Sequence, residues 1–214
     1  MQYTVDWKAE DLMNEAESKL VPIGYSVMNR SDHSITFSGQ VAPSGKIRAS
    51  TYLAAAFDLA AGMTSAIAQN TGDTDTTTIL FHSTSDGKTA VTIPDTASPS
   101  NQILDWWLKN EILLEPWAEP WVKINDCKPT RIDIYTDRIE RFDKVRFRGW
   151  QHTDTIDFKK IGPVEVQHGV TVAFNYLDDQ GEEKTVYLRR PKKEQAEATK
   201  VVIDGRKEVM EKYH

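Results

Sequence analysis

The stretch VTVAFNYLDDQGEEKTVYLRRP, residues 170–191, decides the fold of the second half of the chain. Two β-rich runs, Val170–Tyr176 and Thr185–Arg190, flank Asp178-Asp179-Gln180-Gly181. Asp and Gly supply turn chemistry, so the stretch reads as a β-hairpin. Pro191 suits the start of a helix, expected to run to about Tyr213. On it Ala196, Thr199, Val202, Ile203, Val209 and Met210 form an apolar stripe. Gly205 interrupts that stripe at a cost of about 1 kcal/mol against Ala, and predicts a kink or an early end. Upstream, short β-rich runs succeed one another: Arg131–Thr136, Ile139–Phe142, Lys144–Trp150, Thr155–Lys159 and Val164–Gln167. Residues 128–214 therefore read as seven strands followed by one helix.

Ahead of that block lies a connector over 115–127, stiffened by Pro116 and Pro120. Trp106, Trp107, Trp117 and Trp121 crowd around it, four of the six tryptophans of the chain. Tryptophan favours sites with one apolar and one wet side, so these rings either seal two halves together or form an interface for a partner. The acids Glu111, Glu115 and Glu119 oppose an anionic membrane there.

Residues 1–114 alternate helix and hairpin. Residues 6–20 place Trp7, Leu12, Ala16 and Leu20 on one face, with Asp6 as the expected N-cap and Pro22 and Gly24 as the stop. Two β-rich runs follow, joined by Ser31-Asp32-His33. An Ala-rich helix over 50–69 and two more runs joined by Ser85-Asp86-Gly87 repeat the order. A last helix is expected over Ser98–Leu114, with Pro99 in its first turn. The expectation is an α+β domain of order αββ-αββ-α, a four-stranded antiparallel sheet with helices on one face. Asp58 in the middle of the Ala-rich run argues for a core helix rather than a membrane span.

Three stretches, TDTIDFKKIGPVEV, VTVAFNYLDDQGEEKTVYLRRP and the helix after them, resemble bacterial pleckstrin-homology-like domains. The resemblance covers about the last 85 residues and has no anchoring motif. It implies a β-barrel capped by its C-terminal helix, and a binding or scaffolding module without chemistry of its own. It also implies that Lys144, Arg146 and Arg148 hold a phosphate-like group.

The residues support that strip independently. Lys144-Val145-Arg146-Phe147-Arg148 alternates, which on a strand puts three cations on one face, in steps of about 7 Å. Arg grips phosphate or carboxylate as a bidentate fork and Lys adds a point charge. The nearby Asp137, Glu140 and Asp143 are expected to dilute its field, and an ordinary solvated strand face is the competing reading. A second strip, Arg189-Arg190-Pro191-Lys192-Lys193, reads as a solubilising face.

Charge is uneven. Residues 1–127 carry 8 basic and 16 acidic side chains and residues 128–214 carry 18 and 16, for a net of -6. That balance excludes nonspecific binding to duplex nucleic acid by the whole chain. It also makes the acidic first half a candidate internal partner for the strip. His33, His82, His152, His168 and His214 show no metal-ligand spacing, and no nucleophile elbow or phosphate loop is present. The lone Cys127 excludes a disulfide framework within the chain. The N-terminus reads as no signal peptide, which places the chain in the cytoplasm, at a membrane periphery or in a phage or bacterial assembly. No catalytic, metal or cofactor site is expected. The reading is a non-enzymatic binding or assembly subunit for a protein, an anionic lipid or a phosphorylated ligand. Its alternatives are a small enzyme with a pocket in the N-terminal domain and a membrane-surface regulatory protein.

Overall fold

The computed structural model describes residues 1–39, 74–94, 98–116, 119–120, 122–125 and 129–214. The Ala-rich helix expected over 50–69, Trp117, Trp121 and Cys127 lie outside the described residues. The fold is α+β, in two compact units that divide between Leu113 and Leu114.

In the first unit the strands are β1 (Gln2–Val5), β2 (Tyr25–Ser31), β3 (Ser34–Gly39), β4 (Asp75–Ser83) and β5 (Thr89–Thr92). They form one antiparallel sheet in the order β1-β5-β4-β3-β2. Helix α1 (Ala9–Leu20) buries Leu12, Met13, Ala16 and Leu20. Helix α2 (Pro99–Trp107) packs against α1 and β4. Period-2 alternation supplies the opposing face: Ile35 and Phe37 on β3, and Ile79 and Phe81 on β4, are fully buried.

The sheet has five described strands rather than the expected four. Gln2–Val5 is a strand because the edge of β5 accepts it: the Met1 amine donates to the Ile93 carbonyl at 2.7 Å, and Ile93 N–H donates to the Met1 carbonyl at 2.9 Å. This moves the start of α1. Asp6 does not cap it; Lys8 holds the N-cap position with no side-chain hydrogen bond. The Thr89 hydroxyl instead fixes the β1–α1 connection by donating to the Trp7 carbonyl at 2.6 Å. Ser98 does cap α2, accepting from Asn101 N–H, with Pro99 in the first turn as expected.

After Trp107 the helix widens into a π-turn over Leu108–Ile112, closed by Leu113 N–H donating to the Leu108 carbonyl at 2.9 Å. Trp106 and Trp107 belong to α2 and are buried at 8% and 1% exposure. Both are residues of a packed helix.

The second unit carries β6 (Val122–Ile124), β7 (Thr130–Ile134), β8 (Arg138–Val145) and β9 (Gly149–Asp157) in one antiparallel sheet, in sequence order. A second antiparallel sheet holds β10 (Ile161–Gln167), β11 (Thr171–Leu177) and β12 (Glu183–Arg189). Helix α3 (Lys193–Tyr213) follows. The strands form these two sheets and no closed barrel is found among the described residues. Ile132, Ile134, Ile139 and Ile156 from the first sheet and Val172, Phe174, Val186 and Leu188 from the second share one core with α3.

All six residues of the expected α3 stripe are buried. The helix runs through Gly205, which is itself buried beside Arg206. The Arg206 guanidinium donates to the Thr136 carbonyl, fastening the helix to the β7–β8 connection. One strand boundary differs in a way that matters. Lys144–Trp150 is not a strand: β8 ends at Val145, and 146–148 turn back into β9.

Candidate functional site: a basic hairpin tip

The chain reverses at 145–148 because Arg148 N–H donates to the Val145 carbonyl at 3.1 Å, closing a four-residue turn. Phe147, its third residue, has φ +68°, the pattern of a type II turn. Gly149 follows at φ +76°, a value glycine adopts without strain, and starts β9. The three cations therefore do not share a strand face. Lys144 pairs with Trp150 across the last rungs of the ladder, while Arg146 and Arg148 sit in the turn itself. Short connections still hold all three at one end of the hairpin, and all are exposed.

The three neighbouring acids have cationic partners of their own. Asp137 pairs with Arg138 at 2.9 Å and Glu140 with Arg138 at 2.7 Å. Asp143 pairs with Arg141 at 2.8 Å and accepts the Thr130 hydroxyl at 2.8 Å. Each acid is engaged by another partner. Among the described residues, Lys144, Arg146 and Arg148 have no ion pair within 4.0 Å. Their field is thus left to solvent and to whatever approaches the tip.

Beneath the tip the outer face of the sheet is aromatic and cationic. The Arg131 guanidinium lies 4.1 Å from the Phe142 ring centre and 6.0 Å from that of Trp150. Phe142 meets His152 edge-on at 5.4 Å. The inner face turns polar at the same end. Arg141 lies 3.6 Å from Asp154 and 3.5 Å from the Tyr176 hydroxyl, and Lys184 reaches Asp154 at 3.5 Å and Asp178 at 2.9 Å. Burial by itself lowers the Arg141 pKa, but the Tyr176 and Asp143 contacts outweigh it and hold the guanidinium above its ordinary value. Burial, then the Asp154 contact, pushes the Tyr176 hydroxyl up. Arg141 therefore stays charged and Tyr176 neutral at neutral pH, and these contacts brace β8 and β9 against β11 and β12.

Sequence reasoning singled out the cations and missed Phe147, which it placed on the apolar side of a strand. Gly149 directly after Arg-Phe-Arg is the signal that marks a turn. In the first unit a groove of about 510 Å³ is lined by Asp6, Trp7, Lys8, Asp11, Asn14 and Glu15. Among the described residues lining it there is no histidine, cysteine or hydroxyl nucleophile. Among the described residues no group of three or more His, Cys, Asp and Glu side chains has the geometry of a metal site. No helix among them is long and apolar enough to cross a membrane. No family model, curated protein or solved structure matches the chain.

Proposed function

We propose that the chain is a non-enzymatic binding module, pleckstrin-homology-like in its second unit, which recognises an anionic group through the β8–β9 hairpin tip. The observation that carries the recognition is the trio Lys144, Arg146 and Arg148, exposed together while Asp137, Glu140 and Asp143 pair with other cations among the described residues. What supports the fold likeness is the run of four strands, three strands and a terminal helix that packs into their shared core. The tip offers hydrogen-bond donors and positive charge, which suit recognition of an anion. Lysine supplies a point charge, and the arginines supply forks that match phosphate or carboxylate geometry.

The test is titration calorimetry of the full chain with inositol hexakisphosphate, a soluble polyanion, at low salt. The wild type binds, and the double substitution Arg146→Glu, Arg148→Glu weakens binding by about tenfold or more, the scale of one or two charge-assisted contacts. Equal binding by both proteins, or by neither, removes the tip as an anion site.

A further inference from the structure

Phe147 is 93% exposed and holds φ +68°. A type II turn calls for Gly or Asn at that position, so folding gains nothing from a phenylalanine there. Its ring does not pack into either sheet; its one described ring contact is the Arg146 guanidinium, 4.9 Å from the ring centre. Val145 beside it is also exposed, at 37%. A soluble anion needs only the cations and derives nothing from an apolar tip. A surface that is anionic in its outer layer and apolar just beneath uses both.

We propose that Phe147 inserts into the interfacial layer of an anionic lipid bilayer while Lys144, Arg146 and Arg148 engage the head groups. This rests on the reading of the hairpin tip as an anion-recognising element, and names its partner as a membrane surface. The layering fits. At about 3.3 Å per residue along a strand, the Lys144–Trp150 rung lies roughly 7–10 Å behind Phe147. Interfacial elements bury their apolar side to about 5–10 Å, so Phe147 reaches the acyl boundary with Trp150 near head-group level, where tryptophan is favoured. The chain carries a net charge of -6, so attraction is local to the tip and reaches only about a Debye length, 8–10 Å at moderate salt.

The experiment is co-sedimentation of the full chain with vesicles of phosphatidylcholine and phosphatidylserine at 70:30, and with phosphatidylcholine alone. Wild-type protein partitions onto the serine-containing vesicles and loses that binding as salt is raised. Burial of one Phe side chain corresponds to about a tenfold to hundredfold loss of partitioning in Phe147→Ser. Phe147→Leu restores an apolar tip and stays within about threefold of wild type. The thermal midpoint of each variant, expected to match wild type because the side chain is exposed, separates misfolding from lost insertion. If Phe147→Ser partitions like wild type while Arg146→Glu, Arg148→Glu does not, insertion is overturned and anion recognition stands. If wild type binds inositol hexakisphosphate but not the vesicles, the bilayer is overturned in favour of a soluble or protein-borne anion. If the double charge reversal leaves binding to both probes intact, the reading on which insertion rests falls with it.

Discussion

The hairpin β11–β12 reverses through Asp178–Glu182, and the hairpin β8–β9 reverses through Arg146–Arg148 in the same unit. In the first, the Asp178 carboxylate accepts the N–H groups of Gln180 and Glu182, both at 2.9 Å, and pairs with Lys184 at 2.9 Å. Gly181 takes the one positive φ, +80°, and donates its N–H to the Asp178 carbonyl at 3.0 Å. Each residue of that turn is accounted for by folding. The other turn has one backbone hydrogen bond, an aromatic side chain where glycine belongs, and two arginines that, like Lys144 at the end of β8, have no described ion pair. The difference teaches where to look. Local rules are obeyed at Asp178–Glu182 and broken at Arg146–Arg148, and such breaks collect at sites kept for something other than stability.

Two phenylalanines give this contrast its largest test. Phe174 on β11 is 2% exposed within the core shared by both sheets and α3, whereas Phe147 is 93% exposed. Phe174→Ala is expected to cost about 3–5 kcal/mol in urea unfolding, from lost burial plus the cavity left behind. Phe147→Ala removes no packing and is expected to stay within about 0.5 kcal/mol of wild type. A large loss from the exposed position would make Phe147 a folding residue and erase the distinction.

A subtler measurement reads the strain itself. A non-glycine side chain in the left-handed region costs about 1–2 kcal/mol, partly offset because glycine adds entropy to the unfolded chain. Phe147→Gly is therefore expected to raise stability by about 0.5–1 kcal/mol in the same unfolding assay, while giving up the apolar tip. A substitution that stabilises the protein and weakens vesicle partitioning would locate the trade between folding and function at one residue. Destabilisation would mean that the turn prefers phenylalanine for a reason internal to the fold.

How much of this was legible follows from the range of the forces involved. The α3 stripe was readable because 3.6-residue periodicity is local, and it survived Gly205 because burial against the sheets outweighs one unfavourable propensity. The turns at Ser31-Asp32-His33, Ser85-Asp86-Gly87 and Asp178–Gly181 announced themselves through Asp and Gly chemistry. Strand β1 did not, since four residues become a strand only by meeting β5 about 90 residues away. Trp106 and Trp107 fall within the helix expected over Ser98–Leu114, and both are buried in α2. At the candidate site the cations were visible as a charge pattern. The turn was hidden because Arg-Phe-Arg between β-rich runs mimics strand alternation, and only hydrogen bonding at Val145 and Arg148 ends it.

The smallest expected effect lies in the well-formed turn and concerns charge alone. The Lys184 ammonium, then the N–H groups of Glu182 and Gln180, hold the Asp178 carboxyl below its ordinary value. A depressed folded-state pKa means that the unfolded chain takes up a proton first as pH falls. The stabilisation is therefore complete above the unfolded value, near 3.9, and is lost as pH drops through the lower folded value. Asp178→Asn keeps an oxygen in place to accept both N–H groups but removes the charge that Lys184 pairs with. Its thermal midpoint at neutral pH is expected slightly below wild type, because solvent and salt screen a pair at a surface turn. On acidification below about pH 4 the two proteins should converge, since wild type loses the charge that the variant never had. The comparison is two thermal-melt series from pH 7 down to about pH 2.5 at fixed ionic strength. Parallel curves with no convergence would mean that the ion pair contributes nothing, and that the turn is held by backbone geometry and the Asp178 acceptor alone.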